Sequence, residues 1–471
     1  MLALSASPRL LPALLASPAG WAFLLGVVFM PIDSHPLVLT GTVNRPLWAL
    51  PFCALALAEL LAYRQWPRLA LKAALVVLAL GMVSALAYLR HGYGEYGGFI
   101  KSLITLALAT LTFAGIVVSV RRLVGQFGAQ QLPVLLALAM GLSLILPLAL
   151  GLLQWGANRA GAPGAVEPLT SLFSYRVYGD RVQMASGEPS WAARHLVFVA
   201  AALVLVVPPR WRWPLWLGAG VLIFATGSTY GLATYAGAVG LYALFEGRLG
   251  WRALVSLLFF SALVAGFLLN FKQLLAFSPY AVEKFVSLGT LLSALELNTL
   301  LILAQSDTSI LARLLNPLIA LQQVGADPWG YGGDAFKYNY LSLLYSYGYE
   351  GEESASRLLG AGSTPKVFLV KVAYEFGVPV LLAFLAFLGW LLRRRSLAPR
   401  GLKFLLLVGL WLTVSDDSYL FFGVLFPLAL LLAVEEMLPP ALLGAEALAP
   451  GLRLQLLNAA QGRPWLSARR P

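Results

Sequence analysis

Charged residues are scarce in this sequence: Asp, Glu, Lys and Arg make up only 11% of its 471 residues. An ordinary soluble domain carries about 25%. Hydrophobic residues reach 59% of the chain, against about 45–50% in soluble domains. These values exclude a soluble enzyme and a disordered chain. They predict an all-α polytopic membrane protein with one membrane domain.

Cysteine and histidine are also nearly absent. Cys53 is the single cysteine, which excludes an intramolecular disulfide, and His35, His91 and His195 lie far apart. No spacing typical of a zinc site is present, and the glycine runs fit neither a Walker loop nor a dinucleotide fingerprint. We therefore predict no metal and no cofactor. The net charge of +12 is scattered between apolar segments, so we predict no nucleic-acid partner.

Long apolar runs dominate what remains, and a membrane span needs about 20 such residues. We predict twelve spans, the first read as retained because no small-residue cleavage site follows it. They lie at about 10–30, 46–63, 69–89, 99–120, 132–153, 193–209, 212–227, 229–246, 251–270, 367–392, 402–415 and 419–437. Asp416 and Asp417 separate the last two, because charge is costly at mid-bilayer.

The positions of the basic residues predict the orientation. With the N-terminus inside, 19 of the 33 basic residues fall in cytoplasmic segments, as the positive-inside rule requires. Both termini, including a tail at 438–471, are then cytoplasmic. Glu59 and Glu246 lie near the cytoplasmic ends of two predicted spans, close in sequence to Arg64 and Arg248. We interpret them as members of structural ion pairs.

Two long segments fall on the outer side, at 154–192 and 271–366. Loops of this length are usually functional or disordered. The second is rich in Tyr, Leu and Gly, and we expect it to be ordered, with surface helices at 283–304 and 308–323.

The first outer loop and the start of the sixth span carry Arg176, Arg181 and Arg194. Arginine presents a planar fork that matches a phosphate group, so the cluster favours a pyrophosphate or an acidic sugar. The alternative is that each arginine extends towards lipid headgroups.

Glu188-Pro-Ser190 comes just before the sixth span. Glu188 suits either a general base for a sugar hydroxyl or an acid in the positive field of a helix start. His195 is a second candidate base. We expect Ser190 to cap the helix.

The second outer loop contains a tight turn, Asp327-Pro-Trp-Gly-Tyr-Gly-Gly-Asp334, followed by Lys337 and Tyr338. Aromatic and charged residues so mixed suit sugar binding, and they equally suit an interfacial aromatic belt. The loop returns through Lys366, Lys371 and Glu375. The last two are four apart and are expected to pair on a helix face.

These motifs together resemble the Wzy-type O-antigen polymerase and O-antigen ligase superfamily. The similarity covers about residues 170–380. It is carried by Arg176 and Gly187 with ten residues between them, Glu188-Pro-Ser190, Ser309–Arg313, Pro328–Gly332 and Tyr374–Gly377. The polymerases have a second arginine-to-glycine motif with ten intervening residues. This sequence differs from it, since eleven residues separate Arg313 from Gly325. The histidine typical of the ligases is missing, because Lys366 and Val367 stand at the matching positions.

The resemblance implies a metal-independent glycosyltransferase of the broad GT-C type in the bacterial inner membrane, with its active site on the periplasmic face. It would move a growing glycan from undecaprenyl pyrophosphate onto another lipid-linked repeat unit, in lipopolysaccharide or related surface-polysaccharide biosynthesis. A chain-length regulator is a further partner that such an enzyme could have.

Three roles follow as hypotheses. Glu188 or His195 accepts the proton of the acceptor hydroxyl. Lys337, Tyr338 and Glu375 contact the substrate. Cationic groups clamp the pyrophosphate and stabilise the charge of the leaving group, namely Arg176, Arg181, Arg194, Arg313 and Lys366.

Two rival functions remain at this point: an O-antigen ligase, which differs in its acceptor, and a flippase for lipid-linked sugars. A flippase should carry charge along a cavity that reaches both faces. Here the spans between residues 10 and 153 are almost uncharged, and charge concentrates in the two outer loops.

We predict that Arg176→Ala and Arg313→Ala each abolish glycan polymerisation, because each removes a cation from the pyrophosphate clamp. The measurement is the product ladder formed from a lipid-linked repeat unit. Arg463→Ala in the tail is the control and should leave the ladder intact. Normal ladders from both clamp variants at equal expression would contradict the clamp.

Overall fold

A computed structural model describes residues 10–35, 46–63, 66–128, 131–174, 177, 182–246, 316–340, 364–393, 400–416 and 418–437. This part of the chain is built of helices and holds no β-strand. The predicted ninth span (251–270), the predicted surface helix at 283–304 and the tail lie outside the described residues.

Sixteen α-helices occur in the described segments. In chain order they are α1 Leu10–Leu15, α2 Pro18–Val28, α3 Ala49–Tyr63, α4 Arg68–His91, α5 Gly97–Phe127, α6 Leu132–Ser143, α7 Ile145–Arg159, α8 Glu167–Ser171, α9 Pro189–Val204, α10 Pro209–Ala225, α11 Thr229–Phe245, α12 Asn316–Ala326, α13 Phe368–Phe376, α14 Val378–Arg393, α15 Arg400–Leu412 and α16 Phe422–Met437. Short 3₁₀ turns lie at Pro163–Val166 and Thr413–Ser415.

The described residues confirm the all-α class, and their long apolar helices agree with the predicted membrane protein. Three helical stretches are long and apolar enough to cross a membrane: Arg68–His91, Gly97–Phe127 and Leu132–Arg159. Six further apolar helices among the described residues are shorter. The number of twelve spans and the GT-C arrangement stay predictions.

Three predicted spans are interrupted. The predicted span 10–30 consists of α1 and α2, because Ser17 caps a new helix by accepting a hydrogen bond from the Gly20 amide, with Pro18 at its first position. In the predicted span 132–153, the single turn residue Leu144 separates α6 from α7, with its backbone still in the helical region. The predicted span 367–392 breaks at Gly377, whose φ of +91° lies outside the helical region. Of the predicted helix at 308–323, α12 begins at Asn316, and residues 308–315 lie outside the described part.

Helix α5 lies at the centre of the bundle, and α4 lies at its edge. Of the apolar window in each helix, 72% is buried for α5 and 11% for α4. Helix α5 packs against α2, α3, α4 and α16. Ser119 on α5 donates a hydrogen bond to the Ala19 carbonyl, and the Phe23, Phe52 and Phe426 rings meet beside it.

Ion pairs between helices occur at one predicted end of the bundle. Arg122 pairs with Glu59, Arg121 with Glu436, and Arg212 with Glu246. All of these residues lie at ends predicted to be cytoplasmic. The predicted structural role of Glu59 and Glu246 is thus confirmed with different partners, while Arg64 and Arg248 lie outside the described residues. Which end faces the cytoplasm stays a prediction.

The last two helices approach each other through glycine. A Cβ on Gly409 of α15 would lie 1.5 Å from the Gly423 carbonyl oxygen of α16. Only a residue without a side chain allows this approach. The contact lies beside the turn 413–421, which carries Asp416 and Tyr419, so it fixes the spacing of the two helices that hold this turn.

We predict that Gly409→Ala lowers the free energy of unfolding by about 1–3 kcal/mol, as overpacking does. Thermal unfolding in detergent measures this change. Gly240→Ala on α11 is the matched control, since its added Cβ would meet nothing within 4 Å and alanine favours helix. Equal unfolding temperatures for both variants would contradict the close approach.

Candidate functional site

Glu188 stands directly before α9. Its backbone is extended, with φ −151° and ψ 152°, and Pro189 begins the helix. Ser190 lies in the first turn and donates a hydrogen bond to Oε2 of Glu188 at 3.2 Å. The prediction that Ser190 is the N-cap is therefore wrong. Glu188 holds that position, because the fixed φ of Pro189 already suits the first helical residue.

The loop before Glu188 is held by a buried side chain of α7. The Oε1 atom of Gln154 accepts the Met184 amide at 2.8 Å, and its Nε2 donates to the Met184 carbonyl at 3.1 Å. Met184 has a left-handed φ of +58°, which is uncommon for a residue with a side chain. The Gln154 amide satisfies both backbone groups at this constrained residue.

A second turn, residues 31–34, packs against the same loop. Ser186 donates from Oγ to the Pro31 carbonyl at 2.8 Å, and the Gly187 amide donates to Oδ1 of Asp33 at 2.8 Å. A Cβ on Gly187 would lie 2.6 Å from the Cβ of Ser34. Gly187 therefore allows the two turns to meet.

A buried ion pair lies next to this contact. Nη1 of Arg194 is 2.5 Å from Oδ2 of Asp416, and the two side chains are 3% and 5% exposed. The side chain of Asp33 faces the same two groups. Burial raises the pKa of Asp33 from 3.8 to about 8; the negative charge of Asp416 adds to this rise, while the Gly187 amide and Arg194 oppose it.

The candidate base His195 lies inside the bundle. It is 2% exposed, its Nε2 is 3.3 Å from the hydroxyl of Ser143, and its ring meets Phe422 edge to face. Glu188 is more exposed, so it is better placed than His195 to meet a hydroxyl group arriving from outside.

The glycine turn of the second loop docks on the end of α13. The Tyr331 and Gly332 amides donate to the carbonyls of Tyr374 and Glu375 at 2.7 and 3.0 Å. The Val378 amide donates to the Pro328 carbonyl at 2.8 Å. The motifs Pro328–Gly332 and Tyr374–Gly377, 42 residues apart from Gly332 to Tyr374 in the sequence, therefore form one unit.

Glu375 is the polar centre of this unit. Its Oε1 accepts the Asp334 amide at 3.0 Å, and its Oε2 accepts the Tyr419 hydroxyl at 2.5 Å. Nζ of Lys371 lies 3.8 Å from Oε1, which confirms the predicted pair. Glu375 is 2% exposed, so these contacts are shielded from water.

Two lysines share the carboxylate of Asp334. Nζ of Lys101 and of Lys337 lie 3.2 and 3.8 Å from its Oδ2. The ammonium group of Lys337 also lies over the ring of Tyr338 at 4.8 Å, and the Tyr338 hydroxyl donates to the Glu95 carbonyl. Both lysine side chains are about one third exposed, so this cationic part of the described site is accessible from outside.

The turn 413–421 joins the two groups of residues. Asp416 binds Arg194, and Tyr419, three residues later, binds Glu375. Three residues span at most about 11 Å, so the segment around Glu188 and the segment around Glu375 meet the same short turn. The prediction of a break at this turn is confirmed. The sequence did not show that Asp416 is buried or that it pairs with Arg194.

Several predicted residues stand apart or cannot be placed. Lys366 lies before α13 with a left-handed φ of +58°, and it is partly exposed. Arg176, Arg181 and Arg313 lie outside the described residues. In the part of the chain that the structure describes, no three His, Cys, Asp or Glu side chains gather as they would around a metal ion.

Four residues of this arrangement were not singled out as site residues from the sequence: Asp33, Lys101, Gln154 and Tyr419. Each is a polar residue at or near the end of an apolar run. That position is the only signal that could have marked them, because a polar group beside a span usually has a partner.

No protein family, no curated protein and no solved structure matches this chain.

We predict that Arg194→Met lowers the free energy of unfolding by about 3–5 kcal/mol, because it leaves Asp416 buried without its cation. The double variant Arg194→Met/Asp416→Leu should recover most of this loss. Arg159→Met at the exposed end of α7 is the control, with an effect within about 0.5 kcal/mol.

The coupling energy comes from thermal unfolding of the natural protein, the two single variants Arg194→Met and Asp416→Leu, and the double variant. A variant Arg194→Met with normal stability and no activity would instead assign Arg194 to the substrate.

Proposed function

We propose that this chain is a polymerase of lipid-linked oligosaccharide repeat units. It transfers a growing glycan from undecaprenyl pyrophosphate to the non-reducing end of another lipid-linked unit, on the periplasmic side of the inner membrane. The proposal rests first on the sequence resemblance of residues 170–380 to the Wzy-type polymerases.

One structural observation carries the proposal further. Glu188 closes the first outer loop, and the glycine turn of the second outer loop docks on Glu375. The helices that follow the two loops contact the same turn, since Arg194 binds Asp416 and Glu375 binds Tyr419. A glycan transfer needs a base, a group that binds the acceptor and cations for the leaving group near one another. Convergence of the two segments supports such a site.

The reaction would proceed as a displacement. A hydroxyl of the acceptor sugar attacks the anomeric carbon of the donor glycan, and the bond from that carbon to the pyrophosphate oxygen breaks. Glu188 takes the hydroxyl proton. The pyrophosphate leaves with its negative charge, which Arg176, Arg181, Arg313 and Lys366 stabilise. Lys101, Lys337 and Tyr338 contact the sugars.

The proposal changes three earlier assignments. Arg194 is removed from the pyrophosphate clamp, because its guanidinium group is buried on Asp416. His195 is removed as the base, because its ring lies inside the bundle between Ser143 and Phe422. Glu375 is removed as a substrate contact, because it holds the Asp334 turn in place. Lys101, Lys337 and Tyr338 contact the sugars instead.

We predict that Glu188→Gln lowers the rate of polymerisation by about 10²–10⁴-fold, the usual contribution of a general base. The assay uses purified protein, a synthetic undecaprenyl-pyrophosphate repeat unit and EDTA, and a gel separates the products. Glu167→Gln in the same outer loop is the control and should act normally, since Glu167 is exposed on α8.

A ladder spaced by one repeat without added nucleotide supports the polymerase. Transfer only when lipid A core is supplied would replace it with the ligase. Folded protein that forms no covalent product with either acceptor would contradict both and favour transport.

A further inference from the structure

We propose that Asp33 is a positioning residue that holds the Gly187–Glu188 backbone in place for the reaction. The proposal rests on the proposed function only where it names Glu188 as the base. Asp33 lies in the connection between the first two predicted spans, outside every motif of the two long loops.

The contact is direct and buried. Oδ1 of Asp33 accepts the amide of Gly187, the residue before Glu188, at 2.8 Å. Asp33 is 7% exposed, so water competes little for this hydrogen bond. A hydrogen bond in a buried site is electrostatically stronger than the same bond in water.

Two neighbouring contacts fix the direction from which Asp33 approaches. The Ser186 hydroxyl binds the Pro31 carbonyl, and Ser34 lies against the Cα side of Gly187. The 31–34 turn therefore meets residues 186 and 187 at three points, and Gln154 holds Met184 two residues earlier. Glu188 then has little freedom except in its own side chain.

Burial largely determines the protonation state of Asp33. Among the described residues, Arg194 is the cation that acts on both buried carboxyl groups, and it lies 2.5 Å from Asp416. A second buried anion would have to share this cation with Asp416, and burying a charge is strongly unfavourable. Burial accordingly raises the pKa of Asp33 to about 8. Asp33 is thus a neutral acid near pH 7, and its carbonyl oxygen still accepts the Gly187 amide.

Two substitutions of Asp33 distinguish the role of its acceptor oxygen from the role of its ionisation. Asp33→Asn keeps an oxygen that can accept the Gly187 amide but cannot ionise, so kcat should stay within about tenfold of the natural protein. Asp33→Ala removes the acceptor, and kcat should fall about 100-fold with KM little changed, as for a misplaced catalytic group. Ser171→Ala on α8 is the control, because its hydroxyl donates to the Pro168 carbonyl within its own loop and the residue is exposed.

The pH profile provides a test that general destabilisation would not mimic. In the natural protein, activity should decline as pH rises through about 8, because ionised Asp33 then places a second negative charge beside Arg194 and Asp416. Asp33→Asn should lose this alkaline decline. An unchanged profile in Asp33→Asn, or normal kcat in Asp33→Ala, would overturn the proposal.

Infrared spectroscopy tests Asp33 without any activity. The natural protein should show the carbonyl band of a buried protonated carboxyl group, which disappears above about pH 8 and is missing in Asp33→Asn. The stability that Asp33 contributes should be complete below pH 3.8 and be lost as pH rises through about 8. Asp33→Asn should lack this decline.

The two failures can be told apart. The natural protein could show the infrared band and the pH-dependent stability but no polymerisation. That result would refute the proposed function and support the contact of Asp33. A normal product ladder with no Asp33 band would sink the role of Asp33 and leave the polymerase standing.

Discussion

The buried ion pair between Arg194 and Asp416 is the interaction on which the rest of the candidate site depends. It joins the start of α9 to the turn between α15 and α16, and it does so where both side chains are almost fully shielded from water. A buried charge that loses its partner is strongly destabilising. The ends of these helices are therefore fixed in register, and Glu188 and Tyr419 are fixed with them.

Close backbone contacts at glycine residues also hold the segments of the candidate site together. Gly409 lets α15 approach α16, and Gly187 lets the loop before Glu188 meet the 31–34 turn. On the other side of the site, Gly377 ends α13 and packs on Trp329, whose backbone lies 2.7 Å from where a Cβ of Gly377 would be. Polar groups from the two outer loops can then gather at one end of an apolar bundle.

The local features were predictable and the long-range partners were not. Helical periodicity predicts the pairing of Lys371 with Glu375, because residues four apart share a helix face. Nothing in the sequence links Asp33 to Gly187 or Arg194 to Asp416, since these pairs lie 154 and 222 residues apart. The N-cap was assigned to Ser190 because serine is a common cap, whereas Pro189 makes Glu188 the last residue before the helix.

The central claim is that the segments around Glu188 and around Glu375 serve one site. Photocrosslinking with a lipid-linked repeat unit that carries a photoreactive group on its first sugar tests it most directly. The account predicts label on both the peptide containing Glu188 and the peptide spanning residues 327–338, with both signals lost when excess unlabelled substrate is added. Label that stays on the exposed apolar face of α4, or on one of the two peptides alone, would contradict it.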